Sequence, residues 1–142
     1  MTSAILDTNV LVQSILSPSS SASARVLDAY YDGRFRFVCS ADTLEELSDV
    51  LLLPQIRQRH GMSQEEIAVF VASLMAYADV FASGRPVAPS VPRDATDSKL
   101  LSLAQESEAD YLVTNDRRHL LRLRRHGRTQ IVTPALFLRC LP

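Results

Sequence analysis

Residues 4 to 9 read Ala-Ile-Leu-Asp-Thr-Asn, and residues 111 to 116 read Tyr-Leu-Val-Thr-Asn-Asp. Each stretch is a short apolar run followed by polar residues that include an aspartate. Short apolar runs without alternation, separated by helical patterns, are typical of strands that are buried on both faces of a parallel sheet. The two stretches therefore predict an α/β fold in which Asp7 and Asp116 follow buried strands.

The remaining chain alternates helical and strand patterns. The strand patterns cover residues 35–39, 80–82 and 130–132, and the helical patterns cover residues 9–16, 22–31, 41–53, 63–78, 97–107, 117–125 and a last helix that starts at Pro134. Pro54 is expected to stop the third helix, and Ser63 with Glu66 has the pattern of a capping box. This alternation predicts a parallel sheet with helices on both faces.

Composition narrows the class of protein. A chain of 142 residues fits a single domain, and 46% hydrophobic with 22% charged residues is typical of a globular protein. Cys39 and Cys140 have no metal-ligand spacing, which indicates a reducing cytoplasm. The N-terminus has no signal-peptide pattern, and no apolar run approaches the ~20 residues of a membrane helix.

A basic segment interrupts an otherwise near-neutral chain of net charge −1. Its arginines are Arg117, Arg118, Arg122, Arg124, Arg125 and Arg128, and no acid lies among them. The segment has three interpretations at this point. It is the solvated face of a helix that turns Leu120, Leu121 and Leu123 inward, a surface that follows a phosphate backbone, or a contact for an acidic partner.

Four carboxylates are expected at one edge of the sheet. Asp7 and Asp116 follow strands directly, Asp97 stands near the start of a helix, and Glu46 lies about one turn inside the helix that follows Cys39. Ligands of such sheets bind outside the carboxyl ends of the strands. Close carboxylates repel each other unless a cation joins them, and Mg²⁺ and Mn²⁺ prefer oxygen ligands. The constellation predicts a divalent-metal site that can hydrolyse a phosphodiester.

Taken singly, each of these acids has a structural interpretation. Asp7 and Asp97 are plausible helix caps, Asp116 suits an Asx turn, and Glu46 suits a solvated helix face. Asp7-Thr8-Asn9 also resembles the D-x-D motif of aspartyl phosphohydrolases, but Asn9 occupies the position at which those enzymes require a second acid. The chain lacks a glycine-rich phosphate loop, which disfavours nucleotide-binding folds.

The order of motifs along the chain resembles the PIN-domain family, from about Ala4 to Leu138. The motifs are Ile5–Val10 (ILDTNV), Ser40–Leu47 (SADTLEEL), Arg93–Leu100 (RDATDSKL), Ala109–Asp116 (ADYLVTND) and Ile131–Leu138 (IVTPALFL). The most similar branch is that of bacterial VapC-like toxins of toxin–antitoxin systems. Two departures are Leu53-Pro54 where many relatives have Arg-Pro, and Asn115 where Gly is common in this branch.

The resemblance implies a three-layer α/β/α sandwich around a parallel sheet of roughly five strands. It implies an endoribonuclease that uses Mg²⁺ or Mn²⁺ to hydrolyse single-stranded RNA. The expected partners are a cognate antitoxin and a second copy of the chain in a homodimer. The implied catalytic and metal-binding residues are Asp7, Glu46, Asp97 and Asp116. The implied supporting residues are Asn9, Asp94 and Thr114. The candidate RNA contacts in the basic segment are Arg117, Arg118, Arg124 and Arg125.

Two alternatives remain open beside this hypothesis. The chain is a PIN-like module that binds RNA or protein without turnover, or a housekeeping RNA-processing nuclease. The presence of all four acids argues against the first alternative. For the homodimer, the apolar helix from Ile67 to Met75 is a candidate interface, although burial in the core explains the same pattern.

Overall fold

The computed structural model describes residues 1–82 and 95–142, with the backbone alone for residues 95–97. Its strands are β1 (Ser3–Leu6), β2 (Arg36–Ser40), β3 (Asp79–Phe81), β4 (Tyr111–Val113), β5 (Arg125–His126) and β6 (Thr129–Val132). Within the described residues they form one sheet in the order β3-β2-β1-β4-β6-β5. All neighbouring pairs are parallel except β5 with β6. The parallel sheet of about five strands is confirmed, and β5 extends it.

The helices begin and end with local signals that the sequence carries. They are α1 (Thr8–Leu16), α2 (Ala22–Tyr31), α3 (Ala41–Leu52), α4 (Pro54–His60), α5 (Gln64–Met75), α6 (Ala95–Ser107), α7 (Leu120–Leu123) and α8 (Pro134–Cys140). Ser63 and Glu66 form the expected capping box of α5, and Pro134 opens α8 behind the capping side chain of Thr133.

Helices cover both faces of the sheet. Leu6 and Phe37 point into a core that contains residues of α1, α2, α3, α5 and α8. Their neighbours Ile5 and Val38 point into a second core with α6 and Leu120 of α7. Successive strand residues thus face opposite layers, and both faces are dry, which is why the strands have no polar alternation. The three-layer sandwich is confirmed.

The helix predicted for residues 117–125 is wrong. Only α7, from Leu120 to Leu123, is helical, and Arg124 has a φ of 60° that ends it. β5 then pairs with β6 through a two-residue turn in which Gly127 has a φ of 60°. Glycine adopts this conformation without the cost of a Cβ clash, and β6 gains a hydrogen-bonded neighbour. Leu120 is fully buried, whereas Leu123 is 39% exposed, so a single helical turn is enough to bury Leu120.

The stop of the third helix before Pro54 is confirmed, but α4 was not predicted. α3 does end before this residue, at Leu52, but Pro54 is also the first residue of α4. Proline suits the first helical turn because its missing N–H has no partner there, so the same residue can close one helix and open the next.

The apolar helix α5 shares its side chains between the core and the surface. Ile67 and Leu74 are buried, while Val69 and Met75 are 69% and 45% exposed. Core burial therefore explains part of the apolar pattern, and the homodimer stays a prediction. No helix in the described ranges is both long and apolar enough to cross a membrane.

Candidate active site

Asp7 lies at the carboxyl end of β1 and is 6% exposed. Its main-chain N–H donates to the carbonyl of Val113 on β4 at 2.9 Å, which fixes its backbone to the neighbouring strand. Its Oδ2 accepts hydrogen bonds from Thr114 Oγ1 at 2.8 Å and from Asn9 Nδ2 at 3.2 Å. The carboxylate is thus held in one orientation by two neutral donors.

Thr114 joins Asp7 to the loop that contains Asp116. Thr114 is fully buried, and its Oγ1, which donates to Asp7, also accepts from the main-chain N–H of Asp116 at 2.9 Å. Asn9 makes a second link, because its Oδ1 accepts from the N–H of Asn115 at 3.2 Å. The structure therefore places Asn9 and Thr114 in contact with Asp7 and with the segment after β4.

The carboxylate of Asp116 organises the turn that leads into α7. Its Oδ1 accepts from the main-chain N–H groups of Arg118 at 3.1 Å and His119 at 3.2 Å, and its Oδ2 accepts from that of Leu120 at 3.3 Å. Arg118 and His119 precede α7, and Leu120 is its first residue, so the carboxylate satisfies main-chain donors of the turn and of the first helical residue. The bond from Arg118 N–H to the Asp116 carboxylate is that of an Asx turn, which is the structural interpretation that the sequence offered for Asp116.

Glu46 lies on α3 and faces the end of β1. Its Oε2 accepts a hydrogen bond from Thr8 Oγ1 at 3.1 Å, and its side chain is half-buried. The adjacent Glu45 is exposed. The choice of Glu46 over Glu45 as the site glutamate thus agrees with the direction in which the two side chains point, although its role stays a prediction.

Three polar residues of this network were not singled out from the sequence. Thr8 orients Glu46, while Asn115 Nδ2 approaches Ser23 Oγ of α2 at 3.5 Å. Thr8 and Ser23 are both buried. The available signal for Thr8 was its place beside Asp7 after an apolar strand, whereas Ser23 is brought to the loop only by the packing of α2 on α1.

A cavity of about 310 Å³ opens beside these residues. Its polar lining includes Asp7, Thr8, Asn9 and Glu46, and Val12 is among its apolar walls. Two carboxylates, an amide and a hydroxyl are oxygen donors of the kind that Mg²⁺ and Mn²⁺ accept. The donor chemistry of this edge thus fits a hard divalent cation.

A larger cavity of about 650 Å³ lies away from these acids. Aromatic residues dominate its lining, among them Tyr30, Tyr31, Phe35 and Tyr77. Burial raises the pKa of the Tyr30 phenol, so this group is neutral at physiological pH. This cavity offers no carboxylate cluster, whereas Asp7 and Glu46 both line the smaller one.

The structure does not describe the side chains of two predicted site residues. Asp97 lies in the first turns of α6, and its side chain is outside the described residues; Asp94 lies outside them altogether. Among the side chains that the structure does describe, no three His, Cys, Asp or Glu residues stand close enough to hold a metal ion. The described part of the site thus brings Asp7, Glu46 and the linked Asp116 to one edge, and the contribution of Asp97 stays a prediction.

The arginines predicted to contact RNA are all exposed. Arg117 and Arg118 follow Asp116 directly, Arg124 ends α7, and Arg125 begins β5. They are therefore distributed along one border of the sheet instead of on one helix face.

Comparison with known proteins gives a family and a fold. A family model described as "PIN domain" matches residues 3–118. None of the curated proteins matches the chain.

Three solved structures are similar in fold. VapBC2 from Rickettsia felis, bound to a DNA fragment from its promoter, superposes with a TM-score of 0.59 at 15% identity, covering 93% of this chain and 98% of that one. FitAcB from Neisseria gonorrhoeae has a TM-score of 0.63 at 17% identity, covering 93% and 98%. FitAB bound to an IR36 DNA fragment has a TM-score of 0.61 at 19% identity, covering 92% and 94%.

Proposed function

Since the family match spans residues 3–118, the chain belongs to the PIN-domain family, and we propose that it is a divalent-metal-dependent endoribonuclease that hydrolyses single-stranded RNA. The observation that carries the proposal is the buried carboxylate of Asp7, which is linked to Asp116 through Thr114 and shares a cavity with Glu46, the glutamate that Thr8 holds. A network of this kind keeps acids from separate elements in fixed positions at the edge of the sheet where ligands bind.

We assign the binding of Mg²⁺ or Mn²⁺ to Asp7, Glu46, Asp97 and Asp116. The ion, when bound, lowers the pKa of water and offsets negative charge on the phosphodiester. Among these acids, Asp7 and Glu46 line the same cavity. Asp97 is included because its place in the motif Arg93–Leu100 matches the third acid of the family, and Asp94 of the same motif is assigned a supporting role.

The chain's own polar residues hold this site in place. Asn9 and Thr114 fix the orientation of the Asp7 carboxylate, and Thr8 fixes that of Glu46. Side chains held in this way need little reorganisation when the substrate reacts, which is a general source of rate enhancement. Asp116 holds the turn before α7 through three main-chain N–H groups, so we assign it a positioning role in addition to metal binding.

We further propose that the protein is the toxin of a type II toxin–antitoxin pair, with a cognate antitoxin as its partner. Support comes from the motifs shared with bacterial VapC-like toxins and from the fold likeness to VapBC2 and FitAB. The likeness extends over 92% or more of the chain.

Cleavage of a labelled single-stranded RNA by purified protein, with Mg²⁺ or Mn²⁺ against EDTA, tests the nuclease proposal. Glu46→Gln and Glu45→Gln form a matched pair, because they remove the same charge from adjacent positions. We expect cleavage that needs the metal, a loss of about 100-fold or more for Glu46→Gln, and near wild-type cleavage for Glu45→Gln. Equal activity of the two variants would contradict the assignment of Glu46, and absence of cleavage by folded protein would favour a binding module without turnover.

A further inference from the structure

A border of exposed arginines runs along one side of the sheet. We call it the basic edge, and its members are Arg117, Arg118, Arg122, Arg124, Arg125 and Arg128. It begins directly after Asp116 at the carboxyl end of β4, and it continues through α7 and β5. The basic edge is therefore continuous in the chain with the candidate active site.

The basic edge spans the full height of the sheet. Arg125 pairs with Gln130 on β6, and Arg128 bonds to Asp110, which directly precedes β4 at the amino ends of the strands. The four residues of β6 correspond to about 13 Å along the strand. The segment that contains the arginines thus runs from the acidic end of the sheet to its opposite end, first through α7 and then through the edge strand β5.

Within the part of the chain that the structure describes, most of this positive charge has no counterion. Across the described ranges, the ion pair between Arg128 and Asp110 at 3.0 Å is the one that involves the basic edge. The segment carries a charge of +6 in a chain of net charge −1, so the remaining residues carry −7. A cationic strip on an otherwise acidic protein attracts an anionic partner, and the acidic remainder of the protein repels the same partner.

We infer that the basic edge binds the phosphate backbone of the single-stranded RNA that enters the active site. The inference rests on the proposed function for the identity of the polymer. Arginine is suited to this task because its planar guanidinium binds phosphate oxygens through two parallel hydrogen bonds. Arg117 and Arg118 contact the nucleotides nearest to the acids, and Arg122, Arg124 and Arg125 contact those further along.

The composition of the basic edge favours backbone contacts over base contacts. No Phe, Tyr or Trp lies between Arg117 and Arg128. Proteins that read single-stranded bases stack them on aromatic side chains, and this strip offers none. Binding along the basic edge is therefore independent of RNA sequence, and any sequence preference must come from the cavity around Asp7.

The same strip is poorly suited to a protein partner. Stable protein interfaces bury an apolar centre surrounded by polar groups. Along the basic edge the exposed large apolar residue is Leu123, at 39% exposure. Charge without an apolar centre fits a flexible polyanion better than a folded acidic protein.

The test is the salt dependence of RNA binding by the full-length protein in EDTA, which prevents metal-dependent cleavage. The probe is a labelled uridine oligonucleotide, and the measured quantity is the slope of log K against log salt concentration. Each contact between a cation and a single-stranded phosphate contributes about −0.7 to this slope. We expect Arg117→Gln/Arg118→Gln and Arg122→Gln/Arg125→Gln each to reduce the slope by about 1.4 in magnitude.

Two sets of variants control for charge and for folding. Arg57→Gln/Arg59→Gln removes the same charge from exposed positions of α4, and we expect it to leave the slope nearly unchanged. Arg122→Lys/Arg125→Lys retains the charge in β5 and α7, and we expect it to keep most of the slope. Circular dichroism of each variant verifies that the fold is intact.

Slopes that do not differ between the basic-edge variants and the α4 control would overturn the inference and leave the other two interpretations of the segment, a solvated surface or a contact for an acidic partner. Cleavage is scored separately with metal. If wild type cleaves RNA and the slopes are unchanged, the inference fails while the proposed function holds. If the slopes fall as expected but no RNA is cleaved, the basic edge binds RNA and the nuclease proposal fails.

Discussion

Asp7 and Asp116 differ in what their carboxylates do for the folded chain. The two side-chain donors that the described residues offer to Asp7, from Thr114 and Asn9, reach the same oxygen. An asparagine at position 7 can place its single carbonyl oxygen there and keep these two hydrogen bonds. The two oxygens of Asp116 accept from separate main-chain groups, so an asparagine at position 116 presents an N–H donor to one of them.

We predict that Asp116→Asn lowers the free energy of unfolding by about 1 kcal/mol, the usual contribution of a hydrogen bond. Urea denaturation of the variant beside wild type measures the difference. Equal stability of Asp116→Asn and wild type would show that the turn before α7 does not depend on this carboxylate.

The two cysteines differ in accessibility. Cys39 is buried in β2 and Cys140 is exposed at the end of α8. Burial, with a smaller effect of the nearby Asp79 carboxylate, raises the pKa of the Cys39 thiol to about 12. The thiolate is the reactive form, so Cys39 is inert in the folded protein.

We predict that a thiol reagent at neutral pH modifies Cys140 alone in native protein and both cysteines after unfolding. Mass spectrometry of the labelled protein identifies the modified residue, and a Cys140→Ser variant should remain unlabelled until it unfolds. Rapid native labelling of that variant would mean that β2 opens on the time scale of the reaction.

At the level of elements, the central strands could be predicted because β1 and β4 are buried on both faces. Apolar runs such as Ala4-Ile5-Leu6 therefore have one interpretation. The helix expected over residues 117–125 failed because the decisive facts are not local. The edge of β6 needs a partner, and Gly127 allows the turn that provides it, while the leucines of this segment fit a helix of either length.

Asp7 and Asp116 could be located at one end of the sheet from the positions of β1 and β4 alone. The hydrogen-bond partners could not, because Thr8 meets Glu46 across 38 positions of sequence and Thr114 meets Asp7 across 107. Such pairs are created by the packing of α3 and β4 beside β1. A single sequence does not encode them in any local pattern.

Asp110 ties the amino end of β4 to that of β1. Its carboxylate accepts from Ser3 N at 2.9 Å and from Arg128 at 3.0 Å. The Ser3 main-chain N–H, helped by the Ser3 hydroxyl and by Arg128, lowers the pKa of Asp110 against the opposing effect of burial. A lowered pKa in the folded state adds stability above the unfolded value of about 3.9, and this stability is lost as the pH falls through the folded value.

We predict that Asp110→Asn is less stable than wild type at neutral pH and that the difference shrinks as the pH falls below about 4. Denaturation curves at a series of pH values measure this convergence. A stability difference between the variant and wild type that is constant with pH would show that the charge of Asp110 does not contribute to stability. The lower stability of the variant would then come from packing.

For the whole molecule, both cores depend on the same strands. Ile5 and Leu6 are neighbours in β1, yet they belong to opposite cores. Loss of either core exposes one face of the sheet, so neither has a route to unfold alone. The proposal that residues 1–142 form a single domain predicts one cooperative unfolding transition.

Calorimetry tests this prediction through the ratio of calorimetric to van't Hoff enthalpy, which should be close to one. A ratio well above one, or two separate transitions, would mean that the layers around α6 and around α3 unfold as independent units.

Direct titration of Mn²⁺ into the protein without RNA is the measurement closest to the central claim, that the carboxylates around Asp7 bind a divalent ion. Wild type and Asp7→Asn are compared by calorimetry at equal concentration, with circular dichroism to verify the fold of the variant. The account predicts binding by wild type and its loss in Asp7→Asn. Equal binding by the two proteins, or no binding by folded wild type, would contradict it.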